Sequence, residues 1–174
     1  MAIYTKRGDR GRTNSYSLKK LAKNSLKIQA IGAVDEVNSF LGVISSNNGL
    51  KLGGILKEVQ KDLFAIGSIL AGARLRFYAT KTRKLEKQID ELEKILPPLK
   101  NFILPRGTLA GAQLHFARAL ARRAERAVVF LSKEEKVKSQ ILTYLNRLSD
   151  FLFMLARKAN YDKGVEEEIW QGKR

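Results

Sequence analysis

The sequence has no cysteine, one histidine, three prolines and one tryptophan. Without thiols there is no disulfide framework and no thiolate metal site, and a lone His115 cannot build a histidine cluster, so zinc chemistry is excluded. No apolar run approaches the ~20 residues needed to cross a bilayer. The opening MAIYTKRGDR also lacks the hydrophobic stretch of a signal peptide, so a cytosolic protein without a membrane partner is expected. Acid is scarce as well: 17 aspartates and glutamates face 33 lysines and arginines, a net charge of +16. Such an excess points to an anionic partner and says little about fold. Nucleic acid is one candidate. Few aromatics lie in the basic segments, however, and no helix-turn-helix pattern is recognisable.

A chain of 174 residues fits one domain with a sizeable core. Residues 1–25, rich in Gly, Ser, Thr, Asn and cations without apolar periodicity, read as an irregular arm. Helical spacing begins at Ile28, Ile31, Val34, Val37 and Leu41 and fades in the turn formers SSNNG. Ile55, Leu56, Val59, Leu63, Ile66 and Leu70 predict a second helix. Leu85, Ile89, Leu92 and Leu96 predict a third, stopped by Pro97 and Pro98. The stretches Leu109 to Leu131 and Val137 to about Tyr161, rich in strong helix formers, predict two more. Five helices, no strand and short connections describe an all-α antiparallel bundle over residues 26–161. The tail, 162–174, carries Trp170, either docked on the bundle or loosely tethered.

The charges are not scattered. In LHFARALARRAERAVV, at about 100° per residue, His115, Arg118, Arg122, Glu125 and Arg126 fall within one arc. Leu114, Ala117, Ala121, Ala124, Val128 and Leu131 form an apolar stripe on one side of it. Phe116, Leu120, Ala127 and Phe130 form a second on the other, interrupted by Arg123. A helix apolar on two sides is expected to be buried on two sides. On the last helix Asn146, Asp150, Phe153 and Arg157 share a face opposite Leu145, Leu148, Leu152, Leu155 and Ala159. The first helix adds Asp35 and Asn38. Three polar stripes predict a polar cleft, filled either by an ion-pair network or by a ligand.

The arm carries T-x-x-G-D-x-G-x-T: Thr5, Gly8, Asp9, Gly11 and Thr13. Glycines let backbone N–H groups converge on phosphate oxygens, threonines add donors, and the aspartate can order the turn or help hold magnesium. The pattern is not a Walker A sequence. A basic arm without a defined ligand fits the same residues.

Taken together, IYTKRGDRG, AIGAVDEVNSFLG, FAIGSILA, LPPLKNFILP, LHFARALARRAERAVV and YLNRLSDFLFMLARKAN resemble, in order, segments of the PduO-type ATP:corrinoid adenosyltransferases. The resemblance covers nearly the whole chain. It implies a homotrimeric five-helix bundle, ferritin-like in architecture, with active sites between adjacent subunits, using ATP, Mg2+ and cob(I)alamin and yielding adenosylcobalamin. It implies that Thr5, Lys6, Arg7, Gly8, Thr13, Asn14 and Lys23 wrap the triphosphate, joined by Arg122, Arg123, Glu125, Arg126 and Asn146. Arg122 is the leading triphosphate contact. Asp35 and Arg118 resemble a pair that meets across the subunit interface on the corrinoid side, with Asp150 near them. Phe102 matches the aromatic that helps displace the corrinoid's lower ligand. His115 is expected to pack or line a pocket, and no metal ligand is assigned.

The sequence departs from many relatives at Ser17 and Leu18, where two glycines are usual, and at Arg106, in LPRG for LPGG. Arg7 and Arg12 stand where smaller residues are usual. A reductase or an adenosylcobalamin-dependent enzyme is a further expected partner. Specific nucleic-acid binding is not expected, although a basic helical nucleic-acid binder and an ATP-binding trimer without chemistry remain the alternatives.

Overall fold

The computed structural model describes residues 4, 6, 8–16, 20–46 and 52–172. Five helices account for most of it: α1 (Leu26–Ser45), α2 (Gly53–Leu70), α3 (Thr80–Ile95), α4 (Leu109–Glu134) and α5 (Ser139–Tyr161). Helix α4 packs against both α1 and α5, α2 lies on α1, and α3 lies on α5. The order of neighbours is therefore α2, α1, α4, α5, α3, with α4 central.

Local chemistry sets the ends. Ser25 caps α1 by accepting from the Ile28 N–H at 3.5 Å, and Thr108 caps α4 by accepting from the Gly111 N–H at 2.9 Å. These side chains satisfy N–H groups that have no partner within the helix. Helix α3 stops as the prolines require: Leu96, just before Pro97, is already extended, with ψ 146°.

The core follows the expected apolar stripes. Leu114, Ala117, Ala121, Ala124 and Val128 of α4 are fully buried, as are Leu145, Leu148, Phe151 and Leu152 of α5. The alanines on α4 keep that face flat, which lets α1 and α5 pack closely on it. Truncating a buried leucine such as Leu148 to alanine costs about 2–5 kcal/mol. The second α4 stripe behaves differently. Phe116 and Phe130 are 55% and 56% exposed, so one chain buries only one side of α4.

One further finding departs from the sequence reading, and another decides between its two alternatives for the tail. The arm holds a hairpin of two three-residue strands, β1 (Arg12–Asn14) and β2 (Lys20–Ala22), paired antiparallel with Thr13 opposite Leu21. Three residues are too few to display a two-residue alternation, so the strands left no signal in the sequence. The tail docks: Ile103 and Ile169 form an antiparallel bridge, the Leu104 N–H donates to Glu168 O at 2.8 Å, and the Trp170 N–H donates to Phe102 O at 2.8 Å. The Trp170 ring itself stays exposed. Among the described residues no helix is long and apolar enough to cross a membrane.

Candidate active site

A cleft of about 900 Å³ opens between α3, α4 and α5. Helix α4 contributes Arg118 and Arg122, α5 contributes Arg147, Asp150, Phe153 and Arg157, and α3 contributes Glu86, Asp90 and Glu93. The polar stripes of α4 and α5 thus meet as expected. The third wall is α3, not α1: α3 lies on α5, and no residue of α1 lines this cleft.

Partners divide the arginines of this region into two sets. Arg147 donates to Glu86 at 3.2 Å and to Asp150 at 2.7 Å. Arg157 is 4% exposed and grips Glu167 with two donors, at 2.5 and 3.0 Å, while its Nη2 also donates to the Pro97 carbonyl at 2.7 Å. Arg123 pairs with Glu36 of α1. Arg118, Arg122 and Arg126 have no ion pair among the described residues. The Arg118 Nε is buried without a hydrogen-bond partner. Its pKa is lowered, first by burial and then by the positive charge of Arg122 beside it. A half-buried guanidinium with an orphan donor, next to a second cation, is an arrangement that an anion relieves.

His115 lies on the same helix with its ring tilted against Phe153, centroids 5.8 Å apart. It is buried, and neither ring nitrogen has a partner. Burial pushes its pKa down, Arg118 adds to this, and Glu167 opposes it. The imidazole is held neutral and packs, as the sequence reading expected. At the rim, Asn146 donates to Glu125 at 2.9 Å, which brings together two of the residues assigned to the nucleotide. Asp150 is engaged with Arg147.

The remaining candidates lie in two other places. Lys6, Gly8, Thr13 and Asn14, with Asp9, Arg10, Arg12 and Lys20, line a polar cleft of about 800 Å³ in the arm. The Lys23 ammonium lies beside Gly8, where an added Cβ would come within 3.3 Å of it. Lys6 takes a left-handed backbone, φ 56°, uncommon for a residue with a side chain. Thr5 and Arg7, like Ser17 and Leu18, fall outside the described residues. Asp35 and Asn38 line a third cleft, of about 370 Å³, between α1 and α2. Within one chain Asp35 and Arg118 therefore face different clefts. Phe102 lines none of these three and is 81% exposed.

Sequence reasoning missed Arg147, Arg157, Glu167 and Asn160 as organisers of the site. Arg157 was visible on the polar stripe of α5, but its partner lies in the tail, where no periodicity operates. Asn160 is buried; its Oδ1 accepts from the Thr108 N–H and hydroxyl, and its Nδ2 donates to Arg106 O, each at 2.9 Å. It pins the loop before α4 to the end of α5.

Comparisons with known proteins show the family and the fold. Residues 3–159 match the family model described as cobalamin adenosyltransferase. The chain belongs to the cobalamin adenosyltransferase family. It is 40% identical over 174 residues to a corrinoid adenosyltransferase of Bacillus subtilis, covering 95% of this chain and 90% of that protein. It is 36% identical over 181 residues to the human corrinoid adenosyltransferase MMAB, covering 97% of this chain and 72% of that protein. The fold superposes with TM-score 0.94 and 37% identity on a variant PduO-type ATP:corrinoid adenosyltransferase from Lactobacillus reuteri complexed with cobalamin and ATP. That match covers 98% of this chain and 100% of the other. The five helices with the small hairpin of the arm thus match the fold of that structure.

Proposed function

We propose that this adenosyltransferase moves the 5'-deoxyadenosyl group of ATP onto the cobalt of cob(I)alamin and releases triphosphate. The cobalt electron pair attacks the ribose C5', a cobalt–carbon bond forms, and the C5'–O bond breaks with its pair leaving on triphosphate. Cob(I)alamin is already a strong nucleophile, so the protein needs no general base. Its work is to align the two substrates and stabilise the departing charge.

The observation that carries this reading is the unpaired couple Arg118 and Arg122 in a cleft whose other arginines are tied to carboxylates. Arg122 meets the triphosphate; Arg126, Asn146 and Glu125 border the nucleotide, and Arg123 adds charge at the rim. Lys6, Gly8, Thr13, Asn14 and Lys23 of the arm, with Thr5 and Arg7, wrap the phosphates. Magnesium accompanies ATP: among the described residues no group of three or more His, Cys, Asp or Glu could hold a metal. Mg2+ is commonly held by substrate phosphates, water and one or two carboxylates. Asp9 in the arm cleft offers one.

The corrinoid side requires a second copy. Asp35 of one subunit meets Arg118 of the next, with Asp150 nearby, in a homotrimer. The exposed stripe of Phe116 and Phe130 on α4 and the separate clefts of Asp35 and Arg118 support this. Phe102 displaces the corrinoid's lower ligand and leaves the cobalt easier to reduce. The purified protein, given ATP, magnesium and chemically reduced cobalamin, is expected to convert the corrinoid spectrum to that of adenosylcobalamin. An unchanged spectrum with both substrates in excess would overturn the proposal.

A further inference from the structure

Phe102 has a demanding position and little to hold it. Its side chain is 81% exposed, and its loop has no helix or named strand of its own. Asn160 pins the loop farther on, at Arg106 and Thr108; what holds the Phe102 stretch is the tail. The Phe102 carbonyl accepts from the Trp170 N–H and the Leu104 N–H donates to Glu168 O, both at 2.8 Å, with Ile103 and Ile169 bridged between them. Two residues farther on, Arg106 reaches back to Glu168 at 2.7 Å.

The tail is anchored in turn by one buried contact. Arg157 of α5 holds Glu167 with two donors and the Pro97 carbonyl with Nη2, so α5, the end of α3 and the strap 166–170 meet at one guanidinium. The two ion pairs differ in weight. Arg106 and Glu168 have side chains 66% and 51% exposed, and exposed pairs contribute little. Arg157 is 4% exposed, and removing one partner of a buried pair leaves an uncompensated charge. Arg157 and Glu167 therefore dominate.

We infer that the Arg157–Glu167 pair, assisted by Arg106–Glu168, is a brace that positions Phe102 through the C-terminal strap and so governs the corrinoid half of the reaction. Both pairs are positioning residues: neither needs to touch a substrate. The inference rests on the role proposed for Phe102. It also gives Arg106, a departure from the small residue usual at this position, a local partner and a purpose.

The test uses the full-length protein and Glu167→Gln, which keeps shape and removes charge, alongside Arg106→Gly. Adenosyl transfer by wild type is measured first; if it is absent, the functional reading fails before the brace is tested. With wild type active, Glu167→Gln is expected to lower kcat/KM for the corrinoid about tenfold to a hundredfold, the scale of a small misplacement of reacting groups. The KM for ATP should stay within about twofold, since no residue of the strap lines either the arm cleft or the cleft of Arg122. The spectroscopic signature of four-coordinate cob(II)alamin, formed by wild type with ATP, should weaken in parallel, and Glu167→Asp should restore part of it. Arg106→Gly should show the same selective effect, smaller, with an unchanged melting temperature. Wild-type corrinoid kinetics and signature in Glu167→Gln would overturn the brace. So would equal losses for both substrates, which would mark the pair as a general support of the fold. Should Glu167→Gln fail to fold, Arg106→Gly decides alone: an unaltered signature there counts against the inference.

Discussion

Around the arm cleft, Arg12 and Lys20 sit on a hairpin of two three-residue strands, with Lys6 and Arg10 on the segment before it. In the helical cleft, Arg147 and Arg157 are instead locked onto carboxylates by α3, α5 and the strap. Both regions gather cations, but only the arm cleft has them in excess; in the helical cleft the acids Glu86, Asp90, Glu93 and Asp150 stand among the arginines. In the arm, the cations have no ion pair among the described residues, so no carboxylate competes with a ligand for their charge; Arg12 only spans the hairpin, donating to the Lys20 carbonyl at 3.5 Å. In the helical cleft the same residue type is used in two ways, and partners alone distinguish them. A basic composition thus predicts an anion but cannot say which cations meet it.

The sharpest way to break this distinction is to remove an unpaired arginine. Arg122→Ala is expected to lower kcat/KM for ATP about tenfold to a thousandfold, the range for losing a charge-assisted contact to a leaving group, about 2–4 kcal/mol. Because Arg122 is exposed and has no ion pair among the described residues, its melting temperature should not move. Steady-state kinetics varying ATP, with a melting curve, checks both halves. A stability loss without a kinetic one would return Arg122 to a structural role.

Somewhat smaller is the effect expected at Asp35, in the cleft that a second subunit is proposed to complete. Asp35→Asn should reduce corrinoid use about tenfold to a hundredfold while ATP use changes little. Light scattering on the variant shows whether the oligomer persists. A variant that keeps the oligomeric state of wild type and wild-type constants for the corrinoid would remove Asp35 from the site.

How much of this was legible follows from what each signal depends on. Helix α4 announced itself because its buried residues repeat every three or four positions, and the same period placed Arg118 and Arg122 together. The stop of α3 was legible in Pro97 and Pro98, since proline acts locally. The hairpin was not, because each strand is only three residues long. Nor was the wall formed by α3, whose acids Glu86, Asp90 and Glu93 became part of a site only once α3 lay on α5. Contacts such as Arg157 with Glu167 and Arg106 with Glu168 join residues 10 and 62 positions apart and leave no periodic trace.

The buried junction between the loop and α5 offers a test of structure where the first two tested chemistry. A Cβ added at Gly111 would collide with the Asn160 carboxamide, and Gly107, at φ 126°, meets the same side chain. Gly111→Ala is expected to cost about 1–3 kcal/mol by overpacking, or about 2–12 °C in melting temperature for a chain of this size. Combining it with Asn160→Ala should give less than the sum of the two losses, because the collision has been removed. Additive losses would show that the two residues do not meet. Arg122→Ala, on the ligand side of the comparison, should leave this melting behaviour untouched.

The smallest expected effect concerns His115, which lies between the two sets of arginines. Its pKa is lowered from 6.5, first by burial and then by Arg118, with Glu167 opposing; Arg157 holds that glutamate from α5. A depressed imidazole takes up its proton more readily in the unfolded chain than in the fold. Its contribution to stability is therefore complete above pH 6.5, declines as pH falls below that value, and levels off once the folded state is protonated too. Each unit of depression is worth about 1.4 kcal/mol. Thermal or urea unfolding between pH 8 and pH 5 should then show wild type losing stability more steeply than His115→Gln, whose side chain does not titrate. Carboxylates that titrate at the acid end are common to both proteins and cancel in the difference. Parallel curves would mean that burial and Arg118 do not lower the pKa of His115.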